Sequence, residues 1–231
     1  MYKIDCNDLK ILKITDRYIL KKKKAWIDQG SLLGLTRDGR FIDWDDDIDI
    51  TCLYEEKPEL TIADIKSLLK HDYIVLTSRY DYTIKKLNSS SDHKKMDLTF
   101  IYEKNGTFYK SYSDYKHQNL IAKVFEKMIS ETLQVMRRLK KPRQRLITWF
   151  LLNTITHVYR SYVMRTVDMI CPKWQFRLKM EPLHKGFQSI FIYSHPERYL
   201  EYKFGNDWKI PKREWDYTTE DGGLKMEKVQ H

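Results

Sequence analysis

The chain has 231 residues, long enough for one well-buried α/β domain with an added lobe. Its formal net charge of +10, from 42 Lys and Arg against 32 Asp and Glu, suits anionic partners such as nucleotides, phospholipid surfaces or nucleic acid. Three widely spaced cysteines (Cys6, Cys52, Cys171) form neither a disulfide framework nor a zinc pattern, and with no visible signal peptide and no apolar run of transmembrane length the expectation is a cytoplasmic protein.

Asn7 or Asp8 is expected to cap a first helix running to about Lys22, with Leu9, Ile11, Leu12, Ile14, Tyr18 and Ile19 as its apolar stripe. Ala25–Asp28 then reads as a short strand. Gly30 permits a tight turn after it, and Ser31 is the expected N-cap of a short helix whose free N–H groups could meet a phosphate. Arg37, two turns further on, could supply a second phosphate contact. Five aspartates follow between Asp43 and Asp49. Carboxylates crowded this closely repel one another, and a hard divalent cation such as Mg²⁺ or Mn²⁺ removes the difficulty. Asp47-Ile48-Asp49-Ile50 alternates acidic and apolar residues, so a strand there puts both carboxylates on one face and both isoleucines in the core.

Thr61 and Asp64 have capping-box spacing, which predicts a helix through His71. Tyr73–Ser78 and Tyr82–Leu87 are strand-like runs joined as a hairpin, and Asn88–Asp92 reads as a polar loop. Lys95–Tyr102 is a further strand, turned by Asn105-Gly106 into Thr107–Tyr112. Asp97 stands between Met96 and Leu98, and an acid in an apolar strand needs a partner or a metal.

From His117 to about Lys140 apolar residues recur at helical spacing. The basic run Arg137–Arg145 follows, and then an aromatic-rich segment from Leu146 to Ile170 that reads as one helix. A basic cluster beside a Trp/Phe/Leu-rich helix has the composition of a membrane-surface element, so residues 137–170 are expected to make peripheral membrane contact. A helix packed inside the protein is the alternative. Lys173–Ile192 carries little signal; His184 and Lys185 could face a phosphate, although a lone histidine is more often structural. Ser194 is expected to cap a helix opened by Pro196, with Gly205 as its C-cap and Trp208 and Pro211 anchoring the turn back to the core. The polar tail after Glu214 reads as partly disordered.

Gly30-Ser31-Leu32-Leu33-Gly34, Arg37 and Trp44-Asp45-Asp46-Asp47-Ile48-Asp49 together closely resemble the hallmark of the LicD family, which includes fukutin and fukutin-related protein. Asp43 stands where that family usually has proline. Tyr199-Leu-Glu, Phe204-Gly205, Asp207-Trp208 and Pro211 resemble its second recurrent element, with Phe204 for the usual tyrosine. The resemblance implies an α+β fold, a nucleotidyltransferase-like mixed sheet flanked by helices, with a catalytic core over 1–116 and a helical lobe over 117–231 that packs back on it. It implies an enzyme that transfers phosphocholine or a phospho-alditol from a CDP-linked alcohol donor to a glycan or lipid-linked glycan acceptor, releasing CMP. Asp47 and Asp49 would hold Mg²⁺ or Mn²⁺, with Asp97 completing the metal set from a neighbouring strand. Asp45 would add a ligand or orient the others, Gly30 and Ser31 would cradle the donor phosphates, and Arg37 would assist. Asp97 and Asp45 are the candidates for the general base, and Asp46 reads as structural. Transfer of a nucleotidyl group from an NTP would use the same parts. A basic nucleic-acid-binding module has net charge alone in its favour, with no zinc finger and no aromatic RNA-binding signature, so no nucleic-acid partner is expected.

Overall fold

A computed structural model of the chain describes residues 2–88, 93–115 and 120–227. The Asp5 carboxylate accepts from the Asn7 N–H and caps α1 (Cys6–Ile14), slightly ahead of the expected caps. The coil then widens to a π-helix over Thr15–Leu20 and stops at Lys21, in left-handed conformation. β1 (Ala25–Ile27) passes through Asp28 into α2 (Gln29–Asp38), and β2 (Asp47–Leu53) follows. The Thr61/Asp64 capping box opens α3 (Ile62–Lys70) as its spacing predicts. β3 (Tyr73–Thr77) and β4 (Asp81–Lys86) form the hairpin. β5 (Lys95–Lys104) turns into β6 (Thr107–Tyr115) at Asn105-Gly106, both at positive φ. Most of the polar loop expected at 88–92, and the start of the helix expected at His117, lie outside the described residues.

The second half carries α4 (Leu120–Arg138), α5 (Pro142–Val163), α6 (Glu197–Phe204), α7 (Tyr217–Glu220) and α8 (Gly222–Glu227). It also contributes β7 (Met164–Cys171), β8 (Met180–Pro182) and β9 (Ile190–Tyr193) to the sheet. The expectation of one helix to Ile170 is corrected: α5 ends at Val163, and β7 pairs antiparallel with β6 from Tyr115↔Met164 to Phe108↔Cys171. A partner strand decides between two local conformations that periodicity left close. Pro196 precedes α6, and no side chain caps it, so Ser194 does not take the cap position. Gly205, at φ 89°, ends the helix as expected. After Glu214 the chain forms α7 and α8, and Asp221, between them, is buried and paired with Lys203.

The sheet is mixed, in the order β3-β4-β5-β2-β1-β9-β8, with β6 joining β5 and β7 joining β6. β2 and β5 run parallel, as do β1 and β9, so strands from both halves share one sheet. Alternation gives it two unlike faces. Ile48, Ile50, Met96, Leu98 and Phe100 are wholly buried on one face and share a core cluster with Leu12, Ile19 and Leu68. Asp47, Asp49 and Thr51 of β2 stand on the other, beside Lys95, Asp97 and Thr99 of β5 and Asp81 and Thr83 of β4.

β3 is an edge strand, and its unpaired groups need cover. α5 supplies it. The Trp149 Nε1–H donates to the Val75 carbonyl at 2.7 Å, and Asn153 Oδ1 accepts from the Thr77 N–H at 3.0 Å. Trp149 therefore faces the protein, contrary to the expectation that the whole aromatic segment meets a membrane. Among the described residues, no helix is long and apolar enough to cross one.

Asp28 joins the parts. Its side chain is fully buried. Oδ1 accepts from the Gln29 N–H at 2.8 Å and the Tyr199 hydroxyl at 2.6 Å, and Oδ2 from Thr51 Oγ1 at 2.8 Å and Lys110 Nζ at 2.9 Å. Burial alone would raise its pKa, but Lys110, Lys203 and the Tyr199 hydrogen bond hold the carboxyl far below the usual range. Asp28→Asn can still cap α2, yet it removes the charge facing a buried ammonium. We expect it to lower unfolding free energy by about 3–5 kcal/mol in urea titration. A loss under about 1 kcal/mol would mean the pair contributes little.

Candidate functional site

The register of β2 against β5 sets Asp49 opposite Asp97 and Asp47 opposite Lys95. Ile48 and Ile50, fixed in the core, keep that register from slipping, because a one-residue shift would bury the aspartates. The β1–α2 turn delivers the remaining parts. Gln29 stands at φ 52°, unusual for a residue with a side chain, and swings the chain so that Gly30 lies against the acids. A Cβ at Gly30 would come within 2.7 Å of Asp45 Oδ2, so only glycine leaves the carboxylate where it is. Gly34 is also demanded by packing: its Cβ would lie 2.8 Å from the Arg40 carbonyl.

Ser31 does not cap α2; Asp28 does. Ser31 is buried, and its Oγ accepts the Asp49 N–H at 2.8 Å, so it fastens α2 to β2 and positions Asp49. Arg37 also differs from expectation. Its guanidinium forks onto the neighbouring Asp38, with Nη2 2.7 Å from Oδ2, and it faces a cleft beside the carboxylates rather than the carboxylates themselves. Asp97 lies where the strand reading puts it.

Like charge dominates the centre. Desolvation and then the Asp47 charge push Asp45 up to about 7. Burial and the Asp47 charge hold Asp49 well above the ordinary carboxylate range, with Lys110 opposing. Lys95 Nζ bridges Asp47 Oδ2 at 3.1 Å and Asp97 Oδ2 at 3.0 Å. Burial alone would lower the Lys95 pKa, but those two carboxylates raise it above the ordinary lysine value. Asp97 Oδ1 is buried and accepts no hydrogen bond from the described residues. Oxygens of Asp45, Asp46 and Asp47 come within 4.8 Å of one another, so Asp46, although exposed, is not turned wholly away. Among the described residues these three, not the expected Asp47, Asp49 and Asp97, are the acids whose oxygens all lie that close. Asp49 and Asp97 stand beside Asp47 on the same face, and added positive charge would relieve the crowding, so the carboxylate oxygens here fit a hard divalent cation.

Two clefts meet here. One, of about 500 Å³, exposes Asp45, Asp47, Asp49 and Asp97 and is walled by Thr83, Ser111 and the Arg160–Asp81 ion pair at 2.6 Å. The other, of about 250 Å³, shares Gly30, Asp45, Phe204 and Trp215 with it. Trp44, Trp208, Arg37, Lys212 and Arg213 also line it, with Leu33, Ile42, Ile210 and Asp207, the last paired with Lys212 at 2.8 Å, so an aromatic pocket with cations in its walls lies beside an anionic one.

Sequence reasoning passed over Asp28, Lys95, Lys110, Arg160 and Trp215. Lys95 carried a usable signal, because two residues before Asp97 on a strand is the same face. Tyr199 was singled out as part of a motif, and its hydroxyl proves to bind Asp28.

Comparison with curated proteins gives no significant match. Comparison with family profiles matches residues 22–138, just over half of the chain, to the family described as LicD/FKTN/FKRP, nucleotidyltransferase domain. The match spans Gly30, Ser31, Arg37, all the clustered aspartates and Lys95, and stops short of α5 and the second motif. The carboxylate-bearing face, the Gly-Ser turn and this match agree, and the chain belongs to the LicD/FKTN/FKRP nucleotidyltransferase-domain family.

Proposed function

We propose that the protein is a metal-dependent phosphotransferase that moves phosphocholine or a phospho-alditol from a CDP-linked donor to a glycan hydroxyl and releases CMP. Membership of the family implies a transferase acting on glycans with nucleotide-linked donors. The observation that carries the finer reading is the junction of the two clefts at Gly30 and Asp45, an acidic site next to an aromatic and cationic one.

Asp47, Asp49 and Asp97 would hold Mg²⁺ or Mn²⁺, with Asp45 at their edge. The bound cation would neutralise charge on the phosphoryl oxygens and on the departing CMP. Trp44, 46 % exposed, offers a surface on which a pyrimidine can stack, with the buried Trp208 backing the pocket, and Arg37, Lys212 and Arg213 offer donors for the diphosphate. Gly30 lets the donor phosphates approach the backbone at the start of α2, where the helix dipole favours an anion. The acceptor oxygen forms a bond to the distal phosphorus while the bond to the CMP oxygen breaks. Asp45, which lines both clefts at the edge of that set, is placed to take the acceptor's proton. The acceptor would enter by the wider cleft, past Arg160 and Ser111. Nucleic acid has no part in this scheme.

Calorimetric titration with CDP-choline, CDP-ribitol, CDP-glycerol and CTP, each with and without Mg²⁺, tests the reading. Metal-dependent binding of one CDP-alcohol above the rest is expected. Preference for CTP would move the reaction to nucleotidyl transfer, and the absence of any metal-dependent binding would remove the enzymatic reading altogether.

Asp47→Asn and Asp49→Asn should each lower turnover by more than about a hundredfold, beyond the range usual for a residue that merely orients a ligand. Because each change removes a crowded negative charge, urea stability should hold or rise. Retained turnover in both variants would sink the metal assignment.

The raised pKa values of Asp45 and Asp49 also set a pH dependence. The folded chain keeps protons that the unfolded chain loses near 3.8, so this stabilisation is present below that pH and is lost as pH rises through about 7. In metal-free buffer the melting temperature should therefore fall across that window. Mn²⁺ should restore it more at the neutral end, where it does not compete with protons. A Mn²⁺ shift equal at both ends would count against these carboxylates as its ligands.

A further inference from the structure

α4 and α5 pack as an antiparallel hairpin. The Phe125 and Tyr159 rings lie 6.3 Å apart, and the Tyr159 hydroxyl donates to Glu126 at 2.8 Å. The inner side of α5 is occupied by Trp149 and Leu152, both buried in the protein. Its outer side is apolar too. Ile147, Leu151 and Val158 on α5, and Val124, Met128 and Val135 on α4, are 41–63 % exposed. In each helix the spacing is i, i+4, i+11, a single stripe along one face. Each stripe borders the residues through which the helices touch, so in an antiparallel pair the two lie side by side on one surface.

The charge around that surface is one-sided. Residues 132–167 contain eight Lys and Arg and no Asp or Glu. Arg138, Lys140, Lys141 and Arg143 are exposed at the turn between the helices. Glu131, at the margin of the α4 stripe, is paired with Lys127 at 3.9 Å.

We propose that the outer face of the α4–α5 hairpin docks on an anionic lipid bilayer. Apolar stripes lying in the interface and a basic turn against phosphate headgroups are what such a surface requires. A second copy of the chain fits less well, because it would bring another strongly basic hairpin, with nine Lys and Arg against Glu126 and Glu131 over 120–163, against the first. Docking would also hold the wider cleft next to the bilayer, since Arg160 on the inner side of α5 is part of that cleft's wall. The sequence expectation of contact over 137–170 is thereby redrawn: Trp149 and β7 are excluded, and α4 is included.

Co-sedimentation of the full chain with vesicles tests this. Binding is expected to vesicles of mixed phosphatidylglycerol and phosphatidylcholine, weakening as salt rises, and to be slight with phosphatidylcholine alone. The double change Ile147→Gln with Leu151→Gln should weaken binding by roughly tenfold or more, with unchanged far-UV circular dichroism because both residues are exposed. Lys140→Ser with Lys141→Ser should weaken it by about tenfold or more. The proposal is overturned if the wild-type chain stays in the supernatant at low salt, or if both variants bind as it does. It is equally overturned if the wild type is a dimer that the apolar variant makes monomeric and that binds no vesicles, which would make a second copy the occupant.

Discussion

The buried charge on Asp28 is the constraint from which the site's shape follows. A carboxylate taken out of water needs its hydrogen bonds supplied by the protein. Here they come from four places far apart in sequence: Gln29 on α2, Thr51 on β2, Lys110 on β6 and Tyr199 on α6. Satisfying Asp28 therefore brings β6 back to the end of β1 and seats α6 against the same point. The second motif gains a physical meaning from this. Tyr199 completes the coordination of a residue that holds the first motif in place, and a few residues later Phe204 and Trp208 line the cleft beside the carboxylates.

On either side of α2 the protein treats acids in opposite ways. Asp28 is over-provided with donors, and its stabilisation is present above the ordinary carboxylate pKa and fades only as pH falls below it. Asp45 and Asp49 are under-provided, and their contribution runs the other way. The first arrangement makes a rigid support. The second leaves negative charge unresolved at the surface of that support, which costs stability and creates demand for a cation. Strained charge of this kind is characteristic of functional sites, and the contrast between Asp28 and Asp49 makes the carboxylate face the candidate on physical grounds alone.

How much of this was legible follows from the range of the interactions. Asp47, Asp49 and Asp97 could be placed on strand faces because alternation is a local property, and the Thr61–Asp64 box because a cap spans three residues. Asp28 looked like the last residue of a strand, since nothing within several positions reveals Lys110 or Tyr199 as its partners. Ser31 was misread for the same reason: a serine before an apolar run is a good cap unless a better one precedes it and another strand claims its hydroxyl. β7 was lost to a helical reading because its pairing with β6 lies about 55 residues away and outweighs what the local pattern favours. The short strands β8 and β9 carry too few residues for any period to show.

α5 shows why exposure matters more than composition in reading such a segment. Its aromatic and apolar residues divide into two sets that sequence alone merges. The inner set closes the edge of β3 with hydrogen bonds from Trp149 and Asn153 to the strand's backbone, and Arg160 extends that side to Asp81 in the cleft. Those contacts suffice to hold the helix. The outer set is about half exposed and stands outside the core clusters, so it adds little to the fold, and in water an apolar stripe doubled by its neighbour on α4 is a liability for solubility. Polar residues at Ile147, Leu151 and Val158 would serve the helix as well. Their apolar character is accounted for by an environment outside the chain, and the surrounding excess of positive charge determines what kind of environment that is.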